Sequence, residues 1–279
     1  MKSLLATFAT TIIFVTHLRA ETAPLSSGPP PFKPGEKLVY RLSWGCVPAG
    51  TAVFEVLPIE TLNGVPSYHF VMTARTNRVV DAIYKVRDRI DGFATLPMTR
   101  SLLYRKKQEE GRHKRDIEVT FDWQQKVTQY SNRGKKSNPV ALKAGTFDPL
   151  SSFYAFRCHD IDGRESVHLP VTDGKRSIDG QVRIIKKERV KTPLGTYTAH
   201  LVEPEMNDVG GVFKKRKNAR VRIWFSDDAG RIPVKFSSKV AVGSFYGELI
   251  GAENVASERA KKLARRTEAV TPGTTNERR

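Results

Sequence analysis

VRIWFSDDAGRIPVKF, residues 221–236, contains two short apolar–polar alternations separated by a turn. Val221, Ile223 and Phe225 share one side of the first run, because strand side chains alternate between the two faces. Asp227, Asp228, Ala229 and Gly230 follow, and Asp and Gly are favoured where a turn needs local hydrogen bonds or positive φ. Pro233 opens the second run; without an amide donor it suits an edge or a non-bonded position. The stretch is read as a β-hairpin, with the two aspartates as its corner. A calcium loop would need more oxygen ligands at regular spacing. A glycosidase pair needs carboxyl groups about 5 to 10 Å apart across a cleft.

The same period of two recurs outward from this hairpin. In DIEVTFDW, Ile117, Val119, Phe121 and Trp123 alternate with polar residues, as in a half-buried antiparallel strand. EKLVYRLSW sets Leu38, Tyr40, Leu42 and Trp44 on one face, and YHFVMTAR does so with Tyr68, Phe70, Met72 and Ala74. Turn signals such as LNGVP, EEGR, NRGKK, TDGK and TPLG separate the runs, which predicts roughly ten to twelve strands. Helical candidates are NRVVDAIYKV and DPLSSFYAFR, the second capped by Asp148 or Ser151. The expected fold is mainly all-β: a large twisted antiparallel sheet forming a barrel or half-barrel, with one or two short helices.

The ends differ from the middle. Residues 1–20 carry a short positive start and an apolar run, Leu4 to Leu18, before Ala20, the pattern of a cleaved signal peptide. Residues 21–35 are rich in Pro, Gly and Ser and read as a linker, residues 36–256 as one β-rich domain, and residues 257–279 as a basic flexible tail. A periplasmic or secreted location follows, with no membrane-spanning segment after cleavage. In that oxidising setting Cys46 and Cys158 are a candidate disulfide, and closing so long a loop is worth about 4 to 5 kcal/mol where geometry permits.

The 279 residues carry 47 Lys and Arg against 29 Asp and Glu, a net charge of +18. Export demotes nucleic acid as the partner of this charge. An anionic lipid, a lipid A-type headgroup, an acidic glycan or an envelope protein fits instead. Four basic stretches are the candidate anionic-ligand surface: YRKKQEEGRHKR with Arg105, Lys106, Lys107 and Lys114, then NRGKK, RIIKKERVK with Arg183, and FKKRKNARVR with Lys214, Lys215 and Arg222. The alternative is a solvated face whose lysines block edge-to-edge pairing. Trp224 shares a strand face with Arg222, an arrangement that permits cation–aromatic stacking.

Five stretches in order resemble the bacterial family of domain of unknown function DUF3108: FKPGEKLVYRLSWGCVPAGTAVFEV, DAIYKVRDRIDGF, FDPLSSFYAFR, TPLGTYTAHLVEP and IWFSDDAGRIPVKF. The resemblance spans about Phe32 to Gly251. It implies an exported β-rich protein without an assigned reaction, and it carries no catalytic residues. Cys46 stands in the first stretch where an apolar residue is expected, so a disulfide would be particular to this chain.

No constellation of a known chemistry accompanies these stretches. The histidines His69, His113, His159, His168 and His200 lack the short spacings of a zinc site. CHDID, residues 158–162, groups metal-ligating types but reads as a loop after a helix. VGSFYG has its serine in the wrong slot for a nucleophile elbow. Cys46 has apolar and glycine neighbours, with no adjacent cation to activate it. No cofactor, metal or catalytic residue is therefore expected. Three roles stay open: an envelope protein holding an amphipathic ligand, an adaptor docking on an envelope partner, and a hydrolase of envelope polymers.

Overall fold

A computed structural model describes residues 28–205, 220–240 and 243–256. The expected signal peptide and basic tail, with Lys214 and Lys215, lie outside the described residues.

The first half of the chain supplies β1 (Lys37–Trp44), β2 (Val47–Val56), β3 (Glu60–Leu62), β4 (Val65–Thr76), α1 (Arg78–Asp81), β5 (Arg87–Thr95), β6 (Ser101–Glu110), β7 (His113–Asp122) and β8 (Val127–Asn132). Two-residue strands follow, β9 (Lys135–Lys136) and β10 (Val140–Ala141), and then α2 (Pro149–Arg157). The second half supplies β11 (Ser166–Thr172), β12 (Ser177–Thr192), β13 (Gly195–Pro204), β14 (Arg220–Ser226), β15 (Pro233–Val240) and β16 (Gly243–Glu253). All belong to one 16-stranded sheet, ordered β10-β8-β7-β6-β5-β4-β2-β1-β16-β15-β14-β13-β12-β11, with β3 on β4 and β9 on β8. The strands outnumber the sequence expectation because three of them span only two or three residues, too short for any alternation to register.

β10 and β11, at the two ends of this order, do not pair with each other. A strap joins the two halves instead. The Phe147 amide donates to the Pro170 carbonyl at 2.9 Å and its carbonyl accepts from the Thr172 amide at 2.9 Å, while the Ser101 amide donates to the Thr146 carbonyl at 3.1 Å. The sheet is therefore a curled half-barrel, and the strap delivers the chain into its hollow as α2.

Asp148 caps α2 as expected. Its Oδ1 accepts from the amides of Leu150 and Ser151 at 2.8 and 2.9 Å, and its Oδ2 from Ser101 Oγ at 2.6 Å. Pro149, at the first turn, needs no amide partner. β5 passes so close that a Cβ on Gly92 would lie 3.0 Å from both Asp148 Oδ1 and Ser151 Oγ. Leu150, Tyr154, Ala155 and Phe156 are buried in the main core, and the Tyr154 ring stacks on Phe70 with centroids 3.9 Å apart. A second core joins Leu38, Tyr40 and Leu249 to Val190, Tyr197 and Ala199, where the far end of β12 curls over β15 and β16.

The opening hairpin forms as read. Ser226 and Ile232 close it, and Asp228 Oδ1 accepts from Ser226 Oγ at 2.8 Å and the Gly230 amide at 3.0 Å. Pro233 begins β15 at a bulge opposite Phe225, and its carbonyl accepts the Tyr40 hydroxyl at 2.6 Å. α1 is a single turn with no buried residue, shorter than NRVVDAIYKV allows; short helices rely on tertiary burial to extend, and this one buries no side chain.

The expected disulfide is not made: Cys46 is a free, exposed thiol in the β1–β2 turn and Cys158 a free, buried one. Burial pushes the Cys158 thiol up to about 12, so it is inert as a nucleophile. A thiol reagent is expected to label one cysteine in the native protein and both in denaturant, read by intact mass; two cysteines that stay unlabelled in both states until a reductant is added contradict this.

Candidate functional site

The three stretches FKPGE, FYAFR and DDAGR converge on α2's last residue. Arg157 is wholly buried and grips Glu36, also wholly buried, through two bonds: Nη1 to Oε1 at 2.6 Å and Nη2 to Oε2 at 2.9 Å. Arg157 Nη2 also donates to the carbonyls of Gly230 at 2.8 Å and Pro31 at 3.2 Å. Arg231 returns the contact, its Nη1 donating to the carbonyls of Arg157 and His159. The entering segment, the helix end and the hairpin corner are thus locked into one node, which fixes α2 against the sheet.

Fixing α2 there leaves its other flank open. Ser152, Phe153 and Phe156 on the helix face Leu169 and Val171 of β11, Ile178 and Val182 of β12, Val202 of β13, and Ile223 and Phe225 of β14. Between them lies an apolar groove of about 320 Å³. Phe153 bridges the two sides, with ring centroids 5.3 Å from Phe54 and 5.6 Å from Phe225. Polar groups are few and sit toward the mouth: Asp173, Arg176, Gln181 and Glu205. A concave, mainly apolar site of this size with a few polar groups is what a small amphipathic ligand needs.

The predicted basic residues occupy other places. Arg183 and Arg222 alternate with groove-lining Val182 and Ile223, so they project from the opposite face. There both hold the buried carboxylate of Glu203, Arg222 Nε at 2.7 Å and Arg183 Nη2 at 3.4 Å. This draws Arg222 away from Trp224, whose Nε1 donates to Glu188 at 2.9 Å and whose ring lies 6.0 Å from Lys235 Nζ. Arg105 pairs with Glu118 at 2.8 Å, and Lys114 with Glu109 at 3.7 Å. Lys106 shares the hollow side of β6 with Tyr104, and Lys107 lines a polar hollow on the other side with Arg75, Arg87 and Arg89. Arg105 and Arg222 lie seven strand spacings apart in the sheet order, roughly 33 Å along it. The sheet body thus separates these side chains and pairs many of them with acids.

Two polar clusters escaped the sequence: one gathers two loop aspartates to β13, and the other depends on the register of the consecutive strands β3, β4 and β5. Asp227, the corner aspartate that does not serve the turn, accepts from His200 Nε2 at 3.0 Å and pairs with Lys187 at 3.0 Å. Asp162 of CHDID lies 3.4 Å from the same imidazole nitrogen. The three ligand atoms lie within 4.8 Å of one another, close enough to hold a divalent cation. Lys187 already supplies the positive charge. Against burial, hydrogen bonds from Lys187 and His200 hold Asp227 below its usual range. An ionised aspartate in a shallow hollow is not the protonated general acid that glycoside hydrolysis requires.

His69 lies between two carboxylates, Nδ1 2.6 Å from Glu60 and Nε2 2.9 Å from Asp91, and stacks on Phe93 at 4.1 Å. Burial raises the Asp91 pKa, but hydrogen bonds from His69 and Arg89 outweigh it and bring the carboxyl from 3.8 to about 2. The interaction therefore stabilises the fold above about pH 4 and is lost as pH falls through about 2. Asp91→Asn is expected to cost about 1 to 2 kcal/mol at neutral pH and to flatten the acid limb of a stability–pH curve. An unchanged acid limb contradicts the assignment.

The sequence profile described as "Protein of unknown function (DUF3108)" matches residues 39–250. The chain belongs to the DUF3108 family. The match runs from within β1 to within β16 and so includes the groove and its helix. The sequence matches no curated protein. Among solved structures, this DUF3108 chain is similar to a β-barrel-like protein of domain of unknown function DUF1849 from Brucella abortus. The TM-score is 0.53 at 12% identity, covering 80% of this chain and 98% of that one, a likeness of fold. Weaker matches include a presumed lipoprotein from Parabacteroides distasonis, with TM-score 0.34, 12% identity and coverage of 80% and 97%. A hypothetical protein from Chlamydia trachomatis scores 0.34 at 12% identity, covering 81% and 90%. Among the described residues, no helix is long and apolar enough to cross a membrane.

Proposed function

We propose that this DUF3108 protein is an exported, non-enzymatic cell-envelope protein that holds the apolar chain of an amphipathic, anionic ligand, a lipid or lipid-like glycan, in the groove beside α2. The observation that carries the proposal is the apolar lining of the groove between Phe153 and Phe156 on the helix and Val202, Ile223 and Phe225 on the sheet. α2 occupies the middle of the half-barrel, so the ligand's place is a side groove rather than the whole hollow. Arg176 at the mouth offers one cation to an anionic head, beside the acids Asp173 and Glu205. The leader-like residues 1–20 support export. Titration with 11-(dansylamino)undecanoic acid tests the reading: saturable, one-to-one enhancement of dansyl emission is expected, and a linear, non-saturating response contradicts it.

A further inference from the structure

Six of the nine exposed large apolar side chains among the described residues gather at one rim of the sheet. Adjacent strands β5, β4, β2, β1, β16 and β15 place three connections there side by side: the α1 turn, the β1–β2 hairpin and the β15–β16 hairpin. Val79 and Ile83 of the α1 segment are 74% and 88% exposed. Trp44 and Val47 of the first hairpin are 50% and 56% exposed, and Phe245 of the other stacks against Trp44 with centroids 6.3 Å apart.

These residues are not loose ends. The Asn77 amide and side chain donate to the carbonyls of Ala49 and Pro48 at 2.9 and 2.7 Å, tying α1 to the β1–β2 hairpin. Asp81 pairs with Arg87 at 2.6 Å and ties it to β5. The Gly111 amide donates to the Lys85 carbonyl at 2.8 Å, holding the β6–β7 hairpin, with Arg112, against the same loop. The fold spends a rigid framework on presenting apolar side chains to water. Exposed apolar patches of this kind mark interaction sites.

The charge around the patch identifies the partner. Arg78 and Lys85 flank Val79 and Ile83, and Arg112 and Lys239 stand on neighbouring hairpins of the same rim. The acids of the same rim are Asp81, paired with Arg87, and Glu110 beside Tyr84. Separate apolar protrusions flanked by these cations fit an interface where apolar side chains sink below a layer of negative headgroups. We infer that this rim docks on an anionic lipid bilayer, with Trp44, Val79, Ile83 and Phe245 inserted at the interface. The inference is independent of the groove: docking requires the rim alone.

Co-sedimentation of the purified full chain with vesicles tests it, using phosphatidylcholine alone or mixed with phosphatidylglycerol. The protein is expected to sediment with the mixed vesicles and to stay in solution with phosphatidylcholine. Val79→Asp combined with Ile83→Asp changes only exposed side chains, so circular dichroism and melting stay those of the parent, while vesicle affinity falls by about tenfold or more. Parent protein that stays in solution with the mixed vesicles overturns the inference. So does a double variant that binds them as tightly as the parent, which would place the contact elsewhere on this basic chain.

Discussion

Glu36→Ala lowers the stability of this fold by about 3 to 5 kcal/mol, because it leaves the Arg157 guanidinium buried without its counter-charge. Domains of this kind are held together by only about 5 to 15 kcal/mol, so the loss is a large share of the total. The measurement is the urea midpoint at neutral pH, which should fall with little change in slope. Two features set the size of the effect. Both side chains are wholly inaccessible to water, so no solvent can replace the lost carboxylate. The arginine also serves the carbonyls of Pro31 and Gly230, so the damage spreads to the entering segment and the hairpin corner. Glu36→Leu with Arg157→Leu removes the orphaned charge and recovers part of the stability, but those two carbonyls lose their donor. A single variant as stable as the parent contradicts the role of this node.

Glu36, Arg157 and Gly230 stand far apart in the chain and meet at one guanidinium. Local features were legible in the sequence. The alternation of Val221, Ile223 and Phe225 gave the strand, Asp228 the corner, and Asp148 the helix start, since each depends on neighbours a few residues away. The curl of the sheet was legible only as a class. No local pattern states that the chain at Thr146–Phe147 straps β6 to β11 and turns a helix into the hollow. The groove was hidden for that reason: Phe153 meets Ile223 only after the strap forms. The aspartate pair divides instructively. Asp228 makes the turn, as its position implies, whereas Asp227 meets His200 and Asp162 across strands that sequence cannot bring together. Val79 and Ile83 fall in the helical candidate NRVVDAIYKV, and the structure leaves both in water.

Ile223→Trp is the second large effect. Ile223 is only partly buried and lines the groove, so the larger ring grows into the space between β14 and α2 instead of into packed core. A fold of unchanged melting temperature and a loss of about a hundredfold in affinity for the dansyl fatty acid are expected, since the space of about 320 Å³ no longer admits a chain. Vesicle docking through the α1 rim stays intact in this variant, whereas Val79→Asp with Ile83→Asp leaves the dansyl titration intact. The two variants thus separate carriage from docking.

The most direct test of the groove is native mass spectrometry of the parent protein and Ile223→Trp, each purified gently from envelope extracts. The account predicts a reproducible added mass on the parent, released by organic extraction as an acidic lipid or lipid-like glycan and absent from the variant. A bare parent chain, or the same added mass on both proteins, would contradict it.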